Sequence, residues 1–461
     1  MAGDVEASNI RVAVRCRPFN ARERAEGAVR NALSCNDSTV QVMESTRLPK
    51  EFHYDHVFGC GATQEVVFQA VGLHLLDNAM NAYNGCIFAY GQTGSGKSHS
   101  IMGDVEDEVE QGILPRACTR LFSMLEGRRQ DKGFEATVLA SYLEIYNEKI
   151  FDLLTGGNPG ELQVRNHPEL GPIVPHLTEC PVESFEEAYE LLDFGAKRRA
   201  VAATQMNATS SRSHAVFTLQ VRMVLAKPGG HVESQAKIHF VDLAGSERQK
   251  KSGAAGERLK EGIGINLSLT TLGRVISELA KPGARSVPAF RDSKLTLLLK
   301  DALMGNSRTE LLACVSPSSF NLEETVSTLE FATRCKLVKT SAMKNEQSKA
   351  KASVRGMWEV VKGRRARGVA GPLNGYSLLE REGHYLISTE QLPPIIQTMY
   401  LIHNKDREHS AAMSLLSNQK EEVRAREVAV LQAQMASERA ASEATLDDTH
   451  RALEDKTGFR V

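Results

Sequence analysis

The sequence lacks the features that anchor a protein in a membrane, direct it to secretion or crosslink it by disulfides. No apolar run approaches the roughly 18 residues that a membrane span needs. The start, Met1-Ala-Gly-Asp-Val-Glu6, has neither the basic segment nor the apolar stretch of a signal peptide. The eight cysteines are scattered and include no CxxC pair, which argues against a disulfide framework or a zinc site. We therefore expect a soluble, intracellular protein with reduced thiols.

An excess of charge of one sign is also missing. The chain has 56 Lys and Arg against 57 Asp and Glu, a formal net charge of −1, so any surface that binds a polyanion has to be local. Its 461 residues, 41% hydrophobic and 25% charged, exceed one ordinary domain and suffice for a sizeable core. Composition predicts a globular protein and names no partner.

Short β-like runs alternate with amphipathic stretches from Ile10 to Val338, which is the α/β pattern. Several runs are apolar nearly throughout, as central strands covered on both faces are, and Ser184 with Glu187 predicts a helix capping box. The predicted strands are Ile10–Val14, Cys86–Tyr90, Ala136–Ile145, Val216–Val224, Lys237–Asp242 and Leu311–Val315. The predicted helices are Gln64–Asn81, Pro115–Arg128, Ser184–Arg199, Ile265–Ala280, Lys294–Leu303 and Leu322–Val338.

The composition changes after Lys344. A basic cluster, Lys362–Arg367, and later Gly and Pro predict a linker or a small, poorly defined region over residues 346–404. Residues 405–457 are rich in Ala, Glu, Arg and Gln and predict a helix. Leu416, Val423 and Val430 recur every seven residues, but Gln419 and Arg426 occupy positions that a coiled coil keeps apolar. A homodimer through this helix and a solvated single helix both stay open.

The strongest motif is Gly91-Gln-Thr-Gly-Ser-Gly-Lys-Ser98, which fits the P-loop pattern GxxxxGK with a final Ser or Thr and follows the apolar run Cys86–Tyr90. Its glycines let backbone N–H groups face inward, where phosphates bind against a helix N-terminus. Lys97 would place a charge on the β- and γ-phosphates, and the Ser98 hydroxyl would ligate Mg²⁺. An ordinary glycine-rich turn does not explain this order of strand, Lys and Ser.

Two further segments have the composition of phosphate sensors. Lys237–Glu247 begins as an apolar strand and reaches Asp242, where a Walker-B carboxylate would hold magnesium through water. Gly245 follows, and a glycine there lets a backbone N–H approach the γ-phosphate. Asn207–His214 gathers hydroxyls around Arg212 and is too polar for a core strand. In isolation it also fits a polar surface turn.

These three segments resemble the P-loop, switch I and switch II of the kinesin family. Arg15-Cys-Arg-Pro18 is similar to the family's adenine-holding RxRP element, and His99 matches the residue that stacks on the base in relatives. The resemblance covers residues 8–345 or so and continues through Ser141–Glu148, Val287–Thr296 and Ser327–Ala332. It implies a P-loop NTPase-type motor head: an α/β fold with a central, mostly parallel β-sheet flanked by helices on both faces. The implied domains are a motor domain over 1–345, a linker over 346–404 and a helical segment over 405–457.

The resemblance also assigns roles within the site. It implies that Arg212 and Glu247 form a salt bridge between the switches and position the attacking water, since phosphoryl transfer depends mainly on positioning and charge. The implied cofactors are ATP and Mg²⁺. The implied catalytic residues are Lys97, Arg212, Ser213, Gly245 and Glu247, and the implied metal ligands are Ser98, Ser213 and Asp242. The implied nucleotide contacts are Arg15, Arg17, Pro18, Gly91, Gln92, Thr93, Gly94, Ser95, Gly96, Lys97, Ser98 and His99.

Some positions depart from the family pattern. Ser98 replaces the more common threonine and keeps the hydroxyl, whereas Leu267 replaces a lysine of the filament-facing helix. Arg165–Pro172 and Ala200–Asn207 look most like the third, vesicle-transport class. Lys281–Arg285, however, has two cations in place of that class's lysine-rich loop.

Microtubules are acidic, so the binding face should gather Lys and Arg beside the switch-II helix. The expected tubulin contacts are Lys250, Lys251, Arg258, Lys260, Arg291, Lys294 and Lys300, with Arg165 and His167 on a predicted hairpin, Gln163–Val174. For each one, an ordinary solvated surface is the alternative. Nucleic acid is not expected, because no basic surface interleaved with aromatics is found.

The function implied by the resemblance is that of a microtubule-stimulated ATPase and motor, cytoplasmic and associated with the cytoskeleton, with an unknown cargo or adaptor. Cys335–Asn345 resembles a neck linker that ends in an asparagine latch. Because the head begins near residue 8 and this linker leaves its C-terminal side, we expect movement toward the plus end. Two alternatives remain: a non-stepping microtubule tether or regulator that uses the nucleotide as a clamp, and an unrelated P-loop NTPase.

Overall fold

The computed structural model of the protein describes residues 6–25, 30–43, 49–155, 161–167, 171–205, 210–228, 230–247, 257–281, 288–350, 379–381 and 384–386. The chain divides into two units, Met1–Ser353 and Val354–Val461. Described residues of the second unit form one antiparallel hairpin, Leu379–Arg381 with His384–Leu386. Apart from this hairpin and Glu346–Ala350, the predicted linker and the predicted C-terminal helix lie outside the described residues.

Strands supply most of the framework of the first unit. In chain order they are β1 Glu6–Asn9, β2 Arg11–Cys16, β3 Leu33–Cys35, β4 Thr39–Val42, β5 Lys50–His53, β6 His56–Phe58, β7 Gly85–Tyr90, β8 Phe134–Tyr146, β9 Lys149–Asp152, β10 Arg165–His167, β11 Gly171–Ile173, β12 Cys180–Val182, β13 His214–Lys227, β14 Gly230–Asp242, β15 Arg308–Val315, β16 Lys339–Ala342 and β17 Glu346–Ala350.

Helices pack on both faces of these strands. They are α1 Ala21–Ala25, α2 Gln64–Val67, α3 Leu73–Met80, α4 Lys97–Ile101, α5 Ile113–Arg129, α6 Phe185–Gln205, α7 Glu257–Leu279, α8 Lys294–Leu298, α9 Lys300–Met304 and α10 Leu322–Cys335. Among the described residues, no helix is long and apolar enough to cross a membrane.

The central sheet has the strand order β12-β8-β13-β14-β7-β15-β2-β6. Its pairings are parallel from β14 through β7, β15 and β2 to β6. They are antiparallel from β12 through β8 and β13 to β14. The expected mostly parallel sheet is therefore mixed, because β13 and β14 form a long hairpin and need no crossover helix.

The hydrophobic core forms two layers, one on each face of the sheet. Neighbouring residues of a strand alternate between the layers, as the pleat requires: Ile87 belongs to one cluster and Phe88 to the other. Leu75, Leu121 and Leu192 bring α3, α5 and α6 to the first layer. The second layer buries apolar residues of α7, α8 and α10, among them Leu272, Leu295 and Phe331. The predicted placement of helices on both faces is confirmed.

Helix boundaries follow local signals in the sequence. The Thr63 hydroxyl accepts the Val66 N–H at 3.3 Å, and the Ser184 hydroxyl accepts the Glu187 N–H at 3.3 Å, as caps do. The Glu187 carboxylate accepts the Glu183 N–H at 2.8 Å, one residue before the position a regular capping box uses.

Two predicted helices are interrupted. The helix predicted over Gln64–Asn81 contains a π-helical segment, Phe68–Gly72, where a side chain at Gly72 would overlap the Phe68 ring. The helix predicted over Lys294–Leu303 is split at Leu299, whose ψ of 7° lies outside the helical range.

The end of the first unit is held against its beginning and its sheet. Strand β16 pairs antiparallel with β1, and β17 pairs antiparallel with the start of β14. Between them, the Asn345 side chain donates to Ala82 O and to Asn84 Oδ1, both at 3.1 Å, and accepts from Asn306 Nδ2 at 2.7 Å. Strand β17 lies beyond residue 345, where the head was predicted to end.

We expect Asn345→Ala to loosen β17, because three hydrogen bonds that fix the residue before it are lost. At about 1 kcal/mol of net stability for each such bond, the backbone amides of Glu346–Ala350 should exchange with solvent about 10-fold faster or more. Hydrogen exchange followed by mass spectrometry measures this. Asn81→Ala, whose amide bonds the Asp77 carbonyl of its own helix, is the control and should leave β17 unchanged. Equal protection of β17 in Asn345→Ala would contradict the prediction.

Candidate active site

The segment Gly91–Ser98 leaves the carboxyl end of β7 and turns into α4. Its glycines are required by geometry: Gly96, the residue before α4, has φ +99°, a region that L side chains rarely adopt. A side chain at Gly91 would collide with the Cys314 carbonyl of the neighbouring strand β15. The sequence therefore folds here into a tight loop whose backbone can approach a ligand.

Lys97 lies inside this loop. Its ammonium donates to Gly91 O and Gln92 O, both at 2.9 Å, and the residue is 7% exposed. Burial lowers the pKa of Lys97, and the charge of Asp242 works against that shift. An ammonium held by two carbonyl oxygens is placed to exchange them for the oxygens of an anionic ligand.

Ser98 and Asp242 meet at the opening of the loop. The Ser98 hydroxyl donates to Asp242 Oδ2 at 2.7 Å, while Asp242 Oδ1 is buried without a hydrogen-bond partner. Ser95 Oγ and Gln92 Oε1 are buried without partners as well. Buried polar atoms are normally satisfied, so these three atoms point to a polar ligand bound at this loop.

The donor set fits Mg²⁺. Magnesium takes oxygen ligands and is usually held by one or two protein groups together with substrate phosphates, and Ser98 and Asp242 offer a hydroxyl and a carboxylate. Within the described ranges, no group of three His, Cys, Asp or Glu side chains could hold a metal alone. A cation at Ser98 and Asp242 would therefore depend on oxygens from a bound ligand.

Arg199, near the end of α6, connects the predicted metal ligands. Its guanidinium lies 3.4 Å from Asp242 Oδ2, donates to Ser213 Oγ at 3.2 Å and to Ser213 O at 3.0 Å, and reaches Glu144 Oε1 at 3.3 Å. Burial lowers the pKa of Arg199, but the charges of Tyr142, Asp242 and Glu144 outweigh it and raise the pKa overall. The sequence prediction missed this residue, because one arginine on an amphipathic helix is indistinguishable from a surface cation.

The turn after β14 closes on the P-loop. Gly245 N–H donates to Ser211 O at 2.9 Å, and Ser246 N–H donates to Gly91 O at 3.1 Å. The Glu247 carboxylate accepts the Thr93 N–H at 2.7 Å and also the Thr93 hydroxyl. The structure thus brings the three predicted segments together, with Glu247 bound to the P-loop.

Two predicted roles are not fixed by these contacts. The Gly245 N–H faces the Ser211 carbonyl, so contact with a terminal phosphate would require that hydrogen bond to open. Arg212 lies in a 3₁₀ turn, Ser210–Arg212, just before β13. Its pairing with Glu247 stays a prediction.

Arg15 and Arg17 occupy different environments although both belong to the predicted base-binding element. Arg15 is 8% exposed and donates to Gln64 Oε1 at 2.8 Å and Ser100 Oγ at 3.0 Å. It therefore supports α2 and α4 from inside. The Gln64 amide in turn donates to the His99 carbonyl at 2.8 Å, which places the half-exposed His99 ring beside this element.

Arg17 faces the P-loop. It donates to Gly94 O at 2.6 Å and to Pro18 O at 2.8 Å, and it pairs with both oxygens of Glu23 at 2.6 and 2.7 Å. The hydrogen bonds from Arg17 lower the pKa of the Glu23 carboxyl to about 2, against the opposing effect of burial. Arg17 is thus a fixed link between the element Arg15–Pro18 and the phosphate loop.

His214 connects the turn after β14 with α7. Ala244 N–H donates to His214 Nδ1 at 3.0 Å, so the ring proton lies on Nε2, which is 2.7 Å from Ser268 Oγ on α7. Burial lowers the pKa of His214 to about 3, with smaller effects from the charges of Arg199 and Lys97. The neutral ring connects β13, the turn after β14 and α7.

We expect acid to destabilise the fold through His214. Its folded pKa lies below the ordinary 6.5, so the unfolded chain binds the proton first as pH falls. The contribution is complete above pH 6.5 and is lost toward pH 3, at about 1.4 kcal/mol per pH unit. Between pH 7 and 5, the free energy of unfolding should fall less steeply with pH in His214→Asn. The difference in slope between the two chains should correspond to about one proton taken up on unfolding. Equal slopes for the two chains would contradict this.

The predicted filament-facing cations are described in part. Lys250 and Lys251 lie outside the described residues, and α7 carries Arg258 and Lys260, whose side chains are likewise outside them. The predicted hairpin is confirmed as β10 paired with β11. Asn166 of this hairpin lines one surface hollow together with Phe290, Arg291 and Lys300. The Lys294 ammonium bonds the Gln163 side chain. The predicted contacts near Phe290 and those on the hairpin therefore lie side by side.

Comparison with known proteins gives one consistent family. The kinesin motor domain model matches residues 15–338. Kinesin-like protein unc-104 of Caenorhabditis elegans is 45% identical over 365 residues, which cover 75% of this chain and 23% of unc-104. Human kinesin-like protein KIF13A is 45% identical over 376 residues, which cover 75% of this chain and 20% of KIF13A. The chain thus spans about a quarter or less of the length of these two relatives.

Solved structures agree with the sequence comparison. The structure of a fast kinesin has a TM-score of 0.69 and 39% identity, over 75% of this chain and 96% of that one. A KIF14 dimer in complex with AMP-PNP and a microtubule has a TM-score of 0.67 and 40% identity, over 74% of this chain and 97% of that one.

Proposed function

The chain belongs to the kinesin family, and from this we propose that it is a motor that couples ATP hydrolysis to movement along microtubules. The observation that carries the proposal is the closed hydrogen-bond network that joins the P-loop, Ser213 and the turn Gly245–Glu247. In a site of this kind, a change in the bound phosphate can shift the positions of distant elements. We place the chain nearest to the third, vesicle-transport class.

We propose that ATP binds with its phosphates in the loop Gly91–Ser98. Lys97 would exchange the carbonyls of Gly91 and Gln92 for phosphate oxygens, and Ser98 with Asp242 would hold Mg²⁺. Bound magnesium would neutralise the charge that develops on the phosphates during transfer. On the solvent-exposed side of this loop, the base of the nucleotide could stack on His99. Arg17 holds the neighbouring backbone.

Hydrolysis would be controlled by the two segments that contact the P-loop. The Gly245 N–H donates to the Ser211 carbonyl and so joins switch I to switch II, and a terminal phosphate that took this N–H would release the link. Glu247 holds Thr93 of the P-loop in this arrangement, and pairing with Arg212 would position the attacking water. Because phosphoryl transfer depends mainly on positioning, small displacements of these groups regulate turnover.

The link to a filament would run through α7. His214 connects the turn after β14 to Ser268 on that helix, and α7 contacts α8 and the turn Phe290–Asp292. Arg291, Lys294 and Lys300 there, with Arg165 on β10, supply the positive charge that an acidic tubulin surface would attract. We propose this side as the microtubule-binding face.

Movement would be produced by the segment after α10. Strand β16 pairs with β1, and Asn345 and β17 continue along β14, which supports a neck linker docked along the head and movement toward the plus end. We propose a motor domain over 1–345, a linker over 346–404 and a helical, dimerising segment over 405–457. The proposed setting is the cytoplasm, on the microtubule cytoskeleton, with a cargo or adaptor bound outside the head.

Arg199→Ala should weaken nucleotide retention. The variant leaves Ser213 and Asp242 without their shared donor, so two groups of the proposed magnesium site are no longer held together, and Asp242 keeps only the bond from Ser98. We expect release of a fluorescent ADP about 10-fold faster, corresponding to the loss of about 1.4 kcal/mol, and a higher Mg²⁺ concentration needed to slow it. Arg198→Ala, on the same helix, is the matched control and should leave release within about 2-fold, because Arg198 bonds the Thr155 carbonyl instead. Unchanged release in Arg199→Ala would contradict the assignment.

ATP turnover with and without polymerised tubulin tests the proposal. Strong stimulation by the polymer supports a motor, and gliding of polarity-marked filaments then gives the direction. Binding to the polymer without turnover would replace the proposal with a tether or regulator. Turnover at one rate with and without polymer would overturn the coupling.

A further inference from the structure

Three free cysteines lie close together at the edge of the sheet where β2 and β6 end. Cys16 is the last residue of β2 and is 2% exposed, while Cys60 follows β6 in an exposed turn. Their sulfur atoms are 3.5 Å apart. Cys35, the last residue of β3, is half-buried beside them and packs near Gly59. The nucleotide site described above uses none of these thiols.

Cys60 differs from the buried cysteines in exposure and in pKa. Hydrogen bonding from Cys16 lowers the pKa of Cys60 to about 7, against the effect of burial, with a smaller contribution from the Arg17 charge. Burial alone raises the pKa of Cys118 to about 12. The thiolate is the reactive form of cysteine, so at neutral pH Cys60 combines access to solvent with a large thiolate fraction.

We propose that peroxides oxidise Cys60 and Cys16 to a disulfide, with Cys60 as the thiol that reacts with the peroxide and Cys16 as the resolving thiol. The Cys60 sulfur attacks one oxygen of hydrogen peroxide, the O–O bond breaks, and a sulfenic acid and one water result. The Cys16 sulfur then attacks the Cys60 sulfur, the S–O bond breaks, and a second water leaves with the Cys16 proton. Two thiols are oxidised to one disulfide, and one peroxide is reduced to two waters.

The geometry permits this bond after a small movement. A disulfide has sulfurs about 2.05 Å apart, so the two atoms must approach by about 1.5 Å. Cys16 is fixed at the end of β2, which is paired with β15 and β6. Cys60 lies between Gly59 and Gly61, and a side chain at Gly61 would meet no atom within 4 Å. The exposed turn can therefore supply the movement.

The proposed disulfide would also change the contacts of Arg17. The Arg17 carbonyl lies 3.3 Å from the Cys60 sulfur and 3.7 Å from the Cys16 sulfur, so a thiol at either position can donate to it, whereas a disulfide supplies no such donor. The Arg17 side chain meanwhile holds Gly94 of the P-loop. Oxidation should therefore alter nucleotide release, a consequence that rests on the proposed function, whereas disulfide formation does not.

The test uses the full chain, reduced and then treated with hydrogen peroxide. Differential alkylation and peptide mapping should show the loss of two thiols and a Cys16–Cys60 crosslink that dithiothreitol reverses. Cys60→Ser should abolish the crosslink. In Cys16→Ala, Cys60 should react more slowly, because the hydrogen bond from Cys16 that lowers its pKa is lost, and its sulfenic acid should be captured by dimedone. Cys180→Ser, which removes a half-buried cysteine from β12, is the control and should behave as the unaltered chain.

Two results would overturn the site: a Cys60 thiol that reacts no faster than Cys180, or a crosslink that joins Cys16 to Cys35 instead. We expect Cys60 to be alkylated about 10-fold faster than Cys180 at pH 7. Release of fluorescent ADP should change at least about 2-fold on oxidation and return on reduction. A disulfide that forms without changing release would refute the link to Arg17. A reduced chain that retains no nucleotide would refute the proposed function while the mapped disulfide stands.

Discussion

Replacing Glu247 by alanine should give a chain that still binds ATP but hydrolyses it at least about 10²-fold more slowly. No hydrogen bond described above joins Glu247 to Lys97 or Ser98, the groups proposed to hold the phosphates. The affinity for nucleotide should therefore be kept. What is lost is the carboxylate that joins the turn after β14 to the N–H and hydroxyl of Thr93. Hydrogen bonds to an ionised acceptor are among the stronger ones, and without them the turn is held only by its backbone bonds to Ser211 and Gly91.

Single-turnover measurements separate binding from hydrolysis in this variant. Glu247→Gln is the matched control, since an amide oxygen still accepts one hydrogen bond from Thr93 but carries no charge to pair with Arg212. We expect it to fall between alanine and the unaltered chain. Normal steady-state turnover by Glu247→Ala would remove Glu247 from the proposed mechanism.

Gly245→Ala should abolish most turnover without unfolding the head. A side chain at Gly245 would overlap the Thr93 hydroxyl and both carboxylate oxygens of Glu247. These atoms lie at the ends of side chains and can move aside, so the free energy of unfolding should change little. The Thr93–Glu247 contact, however, has to break. We expect turnover to fall by about 10²-fold, as for the loss of Glu247 itself.

The control is Gly273→Ala, on α7, where an added side chain meets no atom within 4 Å. Its turnover should match that of the unaltered chain. Because Gly245→Ala and Glu247→Ala disrupt the same contact, the double variant should be no slower than either one alone. Multiplied effects in the double variant would show that the two residues act separately.

Much of this architecture could be predicted from the residues. The strands Cys86–Tyr90 and Leu311–Val315 are apolar throughout because both faces of the sheet are covered, and the structure extends each by one to three residues. The P-loop was found because its glycines and lysine are required by backbone geometry and by phosphate charge. The cap at Ser184 could be predicted because the chemistry of its hydroxyl is local, and Thr63 caps α2 in the same way.

Features that depend on distant partners could not be predicted in this way. Strand β14 begins seven residues before the predicted Lys237, since its first half is polar and is fixed by pairing with β13 and β17. Arg199 has no local signal because its partners, Glu144, Ser213 and Asp242, come from three other elements. The polar cluster Asn207–His214 suggested a site, but only the folded structure shows that the Ser213 hydroxyl shares the Arg199 guanidinium with Asp242.

The pairing of β1 with β16 joins residues at opposite ends of the head: Ser8 and Thr340, whose hydroxyls are 3.4 Å apart, are separated by 332 positions. A ribosome adding about 5–20 residues per second needs roughly 20–70 s to travel that distance. Throughout that interval β1 has no β16 to pair with, and its backbone is open to pairing with other nascent chains. Completion of the head is thus postponed to the last moments of its translation, and chaperones would be needed most before then.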